Sequence, residues 1–346
     1  MAKRKQKDKV RQIIWRLEAA AAVLLVCGCL CVTFLGGWHG IPTWQQLGSL
    51  VQVGNFFPAG EKSPAPQPPA LPSVVPQSTA VPTPPDTGTP GQTQLHFIDV
   101  GQGDAVLIAN GGEYALIDCG TEECEDQLLG YLTQLGVQRI ALLVMTHPHA
   151  DHIGSMDAVL RAIPVDTLLL PELTKAAEVP TTDCFARVLD AAGQNGCRVQ
   201  TGYEGMWYPV GQGILTVLST GIKTDNYNNI SLCTRFDAGD FTFVDTGDAE
   251  LPVEDRMLHT GARLDATVFK AAHHGSGTSN SLAFLEAMDP EIVVISCGLD
   301  NSYGHPHEQP MDNYITVEAD IYRTDEQGSV VVSHSPADGV QVTTGR

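Results

Sequence analysis

Basic residues are scarce over most of this chain. Residues 95–346 contain 12 Lys and Arg against 36 Asp and Glu, a formal charge of −24. A protein that follows a nucleic acid backbone needs Lys and Arg clustered along its path. No such cluster is visible here, and so acidic a surface repels polyanions in general. A broad basic groove for nucleic acid is therefore not a feature of this sequence.

Aromatic residues and paired cysteines are also few. Aromatic residues make up 6% of the chain and form no strip on which a single strand could stack. The six cysteines of residues 95–346 include no C-x-x-C pair. An exported domain could pair some of these cysteines, in a connectivity that the sequence does not reveal.

Charge is absent from residues 19–38, which are apolar and follow a segment, 1–18, with seven Lys and Arg. Twenty such residues can cross a hydrocarbon core as a helix. The basic flank predicts a cytoplasmic N-terminus, with the rest of the chain outside the cytoplasm. No A-x-A site follows the apolar run, which disfavours a cleaved signal peptide. The sequence thus predicts a single-pass protein of the cell membrane.

A linker separates this anchor from the folded part of the chain. Residues 39–94 are Pro-rich from residue 58, and 58–94 hold eleven of the 22 prolines with only three charges. Such a segment cannot bury a core and acts as a semi-rigid spacer. Residues 95–346 are long enough to form one sizeable folded domain.

The densest group of chemically capable residues is 147–152, His-Pro-His-Ala-Asp-His. It directly follows an apolar run, Ile140–Met145, that is typical of a buried strand. Neutral imidazole and ionised carboxylate are the usual donors for zinc and other first-row divalent metals. The spacing therefore predicts a metal site at the end of this strand.

The rest of residues 95–346 alternates strand-like and helix-like segments, which predicts α/β layers. The predicted strands are Leu95–Val100, Ala105–Ala109, Tyr114–Asp118, Ile140–Met145, Thr167–Leu170, Ile214–Leu218, Ser231–Phe236, Phe241–Asp245, Ala266–Lys270, Ile292–Ser296 and Ser329–Ser333. The predicted helices lie near Glu123–Leu135, Ile153–Ala162, Asp183–Gln194, Glu250–Thr260 and Ser281–Met288. Further polar residues follow these strands, where α/β domains usually assemble their sites. They are Asp118, Asp248, His273, His274, His305 and His307.

Five ordered motifs carry a family resemblance. They are Phe97–Asp104, Leu116–Gly120, Thr146–Gly154, Thr246–Glu250 and His273–Ser276. Together they resemble the metallo-β-lactamase-fold hydrolases, in the branch similar to the C-terminal domain of the competence protein ComEC. The resemblance covers essentially all of residues 95–346. The many-span channel of ComEC has no counterpart in this chain.

The resemblance implies a four-layer αββα sandwich with two divalent ions at one edge of its sheets. His147 and His149 would bind one ion, Asp151 and His152 the other, and Asp248 would bridge both. One histidine of the His273–His274 pair would complete the second ion's ligands, and we favour His274, with His273 facing the substrate. Asp118 resembles the family's supporting aspartate. Asp99 and Asp104 could serve either the loop backbone or the site.

One departure from the fold's common pattern concerns the first ion. Many members supply a further histidine before the bridging aspartate, whereas residues 153–258 contain none. An Asn/Ser motif, Asn228–Leu232, stands there instead, and it makes Asn228 and Ser231 candidates for supporting or substrate-contacting residues. Fewer imidazoles and more oxygen shift the preference from zinc towards manganese. The sequence therefore predicts either zinc or manganese as the bound metal.

The predicted chemistry is hydrolysis by a two-metal-activated hydroxide. Asp151 would orient the nucleophile, and His273 or His305 would donate a hydrogen bond or a proton. Asn301 and Ser302 are candidate phosphate contacts. The predicted function is a membrane-anchored, extracytoplasmic phosphodiesterase or nuclease, with single-stranded DNA as one candidate substrate. The alternatives are hydrolysis of a carboxylic ester, lactone or β-lactam, and a non-catalytic role in a DNA-uptake or envelope assembly.

Overall fold

The computed structural model describes residues 92–346, which form a mixed α/β sandwich of two β-sheets. The chain first builds six strands of one sheet: β1 (Thr93–Phe97), β2 (Val106–Asn110), β3 (Glu113–Ile117), β4 (Ile140–Val144), β5 (Val165–Leu170) and β6 (Arg198–Thr201). It then builds the second sheet: β7 (Trp207–Val210), β8 (Gly213–Ser219), β9 (Cys233–Ala238), β10 (Phe241–Asp245), β11 (Val268–Lys270), β12 (Ile292–Ile295) and β13 (Asp320–Arg323). Finally it returns to the first sheet with β14 (Val330–Ser335) and β15 (Gly339–Thr344).

Each sheet combines an antiparallel part with a parallel part. The first sheet has the order β15-β14-β1-β2-β3-β4-β5-β6, and the second has the order β13-β12-β11-β10-β9-β8-β7. Strands β3 to β6 are parallel to one another, as are β10 to β13. Parallel neighbours bring their carboxyl ends to one edge of the sheet, where the loops that follow them can assemble a site.

Eight α-helices occur in residues 92–346, and the first seven of them connect parallel strands. They are α1 (Glu125–Gln134), α2 (Ala150–Ile153), α3 (Met156–Ala162), α4 (Asp183–Asn195), α5 (Leu251–Thr260), α6 (Leu282–Met288), α7 (Glu308–Thr316) and α8 (Thr324–Gln327). The longest, α4, begins at a Thr182 side chain that accepts the backbone N–H of Phe185. It ends at Gly196, whose φ of 78° is a left-handed conformation that costs glycine little.

Three apolar clusters hold the layers together. The period-two alternation of β4 sends Leu142 and Val144 between the two sheets, and Leu143 onto the helices outside. The first outer cluster unites the first sheet with α1, α3 and α4. The second outer cluster unites the second sheet with α5, α6 and α7. The site at the strand ends therefore rests on a core that is packed on both faces of both sheets.

Every predicted strand overlaps an observed one, but four observed strands were not predicted. They are β6, β7, β13 and β15, and they are the four edge strands of the two sheets. An edge strand is half exposed and needs no continuous apolar run, and β7 even contains Pro209. The helices α7 and α8 were also missed, because α7 is mostly polar and buries only Pro310 and Tyr314, and α8 is only four residues long.

The N-terminal predictions, which comprise the basic flank 1–18, the membrane anchor 19–38 and most of the linker 39–94, lie outside the described residues. Within residues 92–346, no helix has the length and apolar character that a membrane crossing requires.

We predict that the cluster between the sheets dominates the stability of this domain. Phe243 is 1% exposed and packs edge-on against Phe97 with ring centroids 5.6 Å apart. Phe243→Ala should lower the free energy of unfolding by about 3–5 kcal/mol, because it removes buried apolar surface and leaves a cavity. Trp207→Ala, at a side chain that is 63% exposed, should change it by no more than about 0.5 kcal/mol. Denaturant unfolding measures both, and equal losses would contradict the assignment of the core.

Candidate metal centre

Five loops meet at the edge where the parallel strands of the two sheets end. The loops after β3 and β4 come from the first sheet, and those after β10, β11 and β12 come from the second. They bring together, in this order, Asp118; His147, His149, Asp151 and His152; Asp248; His273 and His274; and His305. The candidate site thus spans both sheets.

The Asp248 carboxylate lies at the middle of this group and is 2% exposed. Its Oδ1 lies 3.2 Å from His152 Nε2 and 3.9 Å from His274 Nε2. Its Oδ2 lies 3.7 Å from both His147 Nε2 and His273 Nε2. The preceding Gly247 has a φ of 53°, and a Cβ there would lie 2.8 Å from the Thr146 side chain. Glycine therefore allows the turn that presents Asp248 between the two sheets.

The donors on the Oδ1 side form one candidate metal position. Besides His152, His274 and Asp248 it includes Asp151, whose Oδ2 lies 3.3 Å from His274 Nε2 and 4.0 Å from His152 Nε2. Donors bound to one zinc at about 2.0–2.2 Å lie roughly 3.4 Å apart in a tetrahedron. The observed spacings are close to that value, so one ion fits among these four side chains.

The donors on the Oδ2 side form a second candidate position. His147 Nε2 lies 3.0 Å from His149 Nδ1, and both belong with Asp248 to a cluster whose ligand atoms lie within 4.8 Å of one another. We call the position at His147 and His149 the first metal position and the one at His152 and His274 the second. Both share Asp248.

Unpartnered polar atoms test whether the residues fit a cation. Within residues 92–346, Asp248 Oδ1, His152 Nε2 and His274 Nε2 are fully buried and have no hydrogen-bond partner. They lie near one another without the alignment that a hydrogen bond requires. Buried polar atoms are normally satisfied, and a metal ion among the two imidazoles and the carboxylate would satisfy all three.

The Nδ1 atoms of His152 and His274, on the far side of each ring from Nε2, have hydrogen-bond partners of their own. Asp118 accepts hydrogen bonds from Thr146 N at 2.9 Å and Thr146 Oγ1 at 2.6 Å, and it lies 2.7 Å from His152 Nδ1. His274 Nδ1 lies 2.9 Å from the Ser296 carbonyl oxygen, which can only accept. Each Nδ1 therefore carries the proton, and each Nε2 is left free to bind a metal. Asp118 takes the supporting position that the family resemblance implies.

Carboxylates outnumber cations in the centre and raise the pKa of two of its histidines, whereas burial lowers the pKa of His147 and His149. Burial alone would lower the pKa of His274, but Asp104 and Asp248 raise it to about 10. The pKa of His152 is likewise raised well above its ordinary value, against the effect of burial, by Asp248, Asp118 and Asp151. So strong a preference for positive charge is what a site for divalent cations requires.

His273 and His305 lie beside the two positions. His273 is 21% exposed on its side chain, and its Nδ1 lies 3.1 Å from Thr278 Oγ1. The His305 ring lies 5.6 Å from that of His273 and 6.0 Å from that of His274. Burial and the neighbouring imidazoles lower the pKa of His305 to about 4, so its ring is neutral at pH 7. Their predicted roles towards a substrate stay predictions.

The Asn/Ser motif supports the loops of the site. Ser231 Oγ accepts the backbone N–H of Asp248 at 3.2 Å and so helps to fix that residue. Asn228 Nδ2 donates to Glu250 Oε1 at 3.4 Å, and Asn229 Nδ2 donates to Glu250 Oε2 at 2.9 Å. Asn228 Oδ1 is buried without a hydrogen-bond partner in residues 92–346.

The candidate phosphate contacts Asn301 and Ser302 lie in the loop after β12. Asn301 Nδ2 donates to the carbonyls of Gly298 and His305, at 2.9 and 2.6 Å, and its Oδ1 accepts from His305 N at 2.9 Å. Its amide thus shapes the loop that carries His305. Ser302 is exposed. A phosphate contact from either residue stays a prediction.

Sequence reasoning missed Lys270 and left Asp104 undecided. Lys270 ends β11 and is fully buried, with its Nζ 2.5 Å from Asp104 Oδ2. Asp104 also groups with His152, Asp248 and His274 as a possible metal-binding cluster. A signal was present, since a lysine inside the apolar run Ala266–Ala272 has to be buried, and buried lysines are almost always paired.

Comparison with known proteins identifies the family of this domain. The family model of the metallo-beta-lactamase superfamily matches residues 98–298, which is more than half of the chain. The ComE operon protein 3 of Bacillus subtilis is 27% identical over 256 residues, which are 68% of this chain and 32% of that protein.

Two further relatives match to a similar extent. The Recombination protein 2 of Haemophilus influenzae is 28% identical over 69% of this chain and 29% of its own length. The Competence protein ComA of Neisseria gonorrhoeae is 28% identical over 67% of this chain and 31% of its own length. The chain thus spans about a third of the length of these relatives.

We predict that Asp248 serves both metal positions whereas the histidines serve one each. Asp248→Ala should weaken both, His147→Ala only the first, and His274→Ala only the second. Each loss should exceed the roughly 10- to 100-fold typical of outer partners, because a direct donor is removed. Metal titration of the chelator-treated protein, with bound metal counted by mass spectrometry, measures this. His259→Ala, at a side chain that is 75% exposed, is the matched control and should bind as wild type does. Two intact positions in Asp248→Ala would contradict the shared carboxylate.

Proposed function

The chain belongs to the metallo-beta-lactamase superfamily and is a metal-dependent hydrolase, and on this premise we propose that it cleaves phosphodiesters with two divalent ions. The observation that carries the proposal is the pair of donor clusters that share Asp248. Zinc and manganese are both candidates, because the first position offers two imidazoles and otherwise oxygen. The names of the relatives, which refer to competence and recombination, support a DNA substrate.

The proposal includes the predicted organisation of the chain. Residues 1–18 would be a cytoplasmic flank, 19–38 a single membrane anchor and 39–94 a spacer. Residues 95–346 would form an αββα hydrolase domain outside the cytoplasm. The support for the anchor is the uncharged run of twenty residues behind a basic segment.

When bound, two divalent ions supply a water nucleophile at neutral pH and stabilise charge on the attacked phosphoryl group and the leaving oxygen. The side chains would do the rest. Asp151 is 30% exposed at the second position, so it can both bind metal and orient the attacking water. The Thr278 hydroxyl, 3.1 Å from His273 Nδ1, can donate to it, and the His273 proton would then be on Nε2 for a hydrogen bond to a substrate oxygen. His305, neutral at pH 7, would act as a hydrogen-bond donor and not as an acid.

The pairing of the basic residues bears on the size of the substrate. Ten of the twelve basic residues in 92–346 form ion pairs with acidic ones, and Arg198 and Lys223 are the remaining two. Little unpaired positive charge is therefore left to follow a phosphate backbone, which favours a short phosphodiester over a long strand.

The Tyr303 ring is 64% exposed and stacks on the His305 ring, with centroids 5.5 Å apart and an interplanar angle of 18°. Its free surface could stack a nucleobase, which favours a nucleotide-containing substrate.

The first test is hydrolysis itself. With Mn²⁺ or Zn²⁺ the protein should cleave bis-p-nitrophenyl phosphate and short single-stranded DNA, and chelator should abolish both activities. His147→Ala and Asp248→Ala should be inactive but folded, whereas His259→Ala should match wild type. Turnover of carboxylic esters or lactams without phosphodiesters would contradict the proposal. A protein that binds no metal would point to the non-catalytic role.

A second prediction concerns the salt dependence of DNA cleavage. Arg198 and Lys223 could neutralise two phosphates, so the KM for a single strand should rise by at most about sevenfold between 50 and 200 mM salt. A track of eight cations would raise it by more than about a thousandfold. Measuring the KM for an oligonucleotide at several salt concentrations tests this, with bis-p-nitrophenyl phosphate as the control. A steep dependence would contradict recognition by a short contact.

A further inference from the structure

A buried ion pair lies behind the second metal position. Lys270 Nζ and Asp104 Oδ2 are 2.5 Å apart, and their side chains are 0% and 2% exposed. Among residues 92–346, no other Lys or Arg has an acidic partner with both side chains so deeply buried, the next being Arg235 with Asp237, 25% exposed. Burying two charges is costly, so stability alone is a weak explanation for such a pair.

The pair joins the two sheets that share the metal centre. Lys270 ends β11 in the second sheet, whereas Asp104 lies in the loop between β1 and β2 of the first sheet. Asp104 N donates to the carbonyl of Asp151 at 3.1 Å, which ties the same loop to a candidate ligand. A Cβ at Gly103 would lie 2.5 Å from that carbonyl oxygen, so glycine permits this approach.

Lys270 also holds the backbone that leads to the histidine pair. Its Nζ donates to the carbonyl of Ala271 at 3.1 Å. Two residues on, His273 and His274 have φ angles of 50° and 55°, a left-handed conformation that non-glycine residues adopt only under constraint. The buried ammonium therefore anchors a segment whose backbone has to be held in place.

The carboxylate of Asp104 faces the outer edges of both imidazoles of the second position. Its Oδ1 lies 3.4 Å from His274 Nδ1, and its Oδ2 lies 3.6 Å from His152 Nδ1. The Nε2 atoms of the same rings face Asp248. One ion bound at these Nε2 atoms cannot reach Asp104 across the rings, so Asp104 is a neighbour of the ligands and not a ligand.

We propose that Asp104 and Lys270 are a positioning pair that sets the affinity of the second metal position. The pair fixes the distance between His152, from the first sheet, and His274, from the second. Its negative end lies 3.4 and 3.6 Å from the Nδ1 atoms of both imidazoles, beside their hydrogen bonds to Asp118 and Ser296, and its charge strengthens them as metal donors. This inference rests on the proposed two-metal site, which it refines.

The test uses Asp104→Asn, Lys270→Met and the double variant. Each single variant leaves one buried charge without its partner, so unfolding of the metal-free protein should occur at lower denaturant concentration. The double variant removes both charges and should recover much of that stability. All three variants should bind the second metal roughly 10- to 100-fold more weakly, with the first position unchanged. Stepwise titration with Co²⁺, followed by its absorption spectrum, resolves the two positions.

The double variant separates positioning from mere stability. If the pair were purely structural, the double variant would regain its stability and would also bind metal at the second position with wild-type affinity. That result would overturn the proposal. Arg235→Met is the matched control, because it should lower stability by breaking a largely buried pair without changing either metal affinity. Weaker metal binding in that control, equal to that of Lys270→Met, would also overturn the proposal.

The number of Co²⁺ ions that the wild-type protein binds tests the two-metal site separately from the pair. A wild-type protein that binds no Co²⁺, or only one ion, would contradict the proposed function and the positioning pair together. A wild-type protein that binds two ions, with variants that match it, would contradict only the pair.

Discussion

The carboxylate of Asp248 is the element on which the rest of the centre depends. Each of its oxygens faces two imidazoles, and these come from loops of both sheets. Buried between them, this group is stable only when positive charge is distributed on both of its sides. Gly247, Ser231 and the core beneath β10 are all arranged so that this one side chain lies between the sheets.

Charge balance explains why so many acidic residues can be buried together. Asp104, Asp118 and Asp248 are all at most 2% exposed, and Lys270 is the only fully buried lysine or arginine beside them in residues 92–346. The pKa values of His152 and His274 rise in response, which marks the second metal position as deficient in cations. Two divalent ions would supply the missing positive charge. Carboxylates are also in excess on the surface outside the centre, and they limit how long a polyanion the surface can bind.

Sequence reasoning predicts best what is local in the chain. The ligand loop His147–His152 and the strand before it are adjacent in sequence, so their pattern alone predicts both strand and metal site. The four edge strands were missed because a half-exposed strand carries no apolar run. Lys270 was missed because its partner, Asp104, belongs to the other sheet and is 166 positions away in the numbering. Locality alone is not sufficient, because the hydrogen bonds of the Asn301 amide lie within its own loop and the sequence did not reveal them.

Two ions, one on each side of Asp248, should be visible by anomalous diffraction from crystals grown with Mn²⁺, which is the most direct test of the shared carboxylate. Two peaks about 3.5–4 Å apart are expected, one beside His147 and His149 and the other beside Asp151, His152 and His274. A single peak, or a peak bound by Asp104 in place of Asp151, would contradict this arrangement.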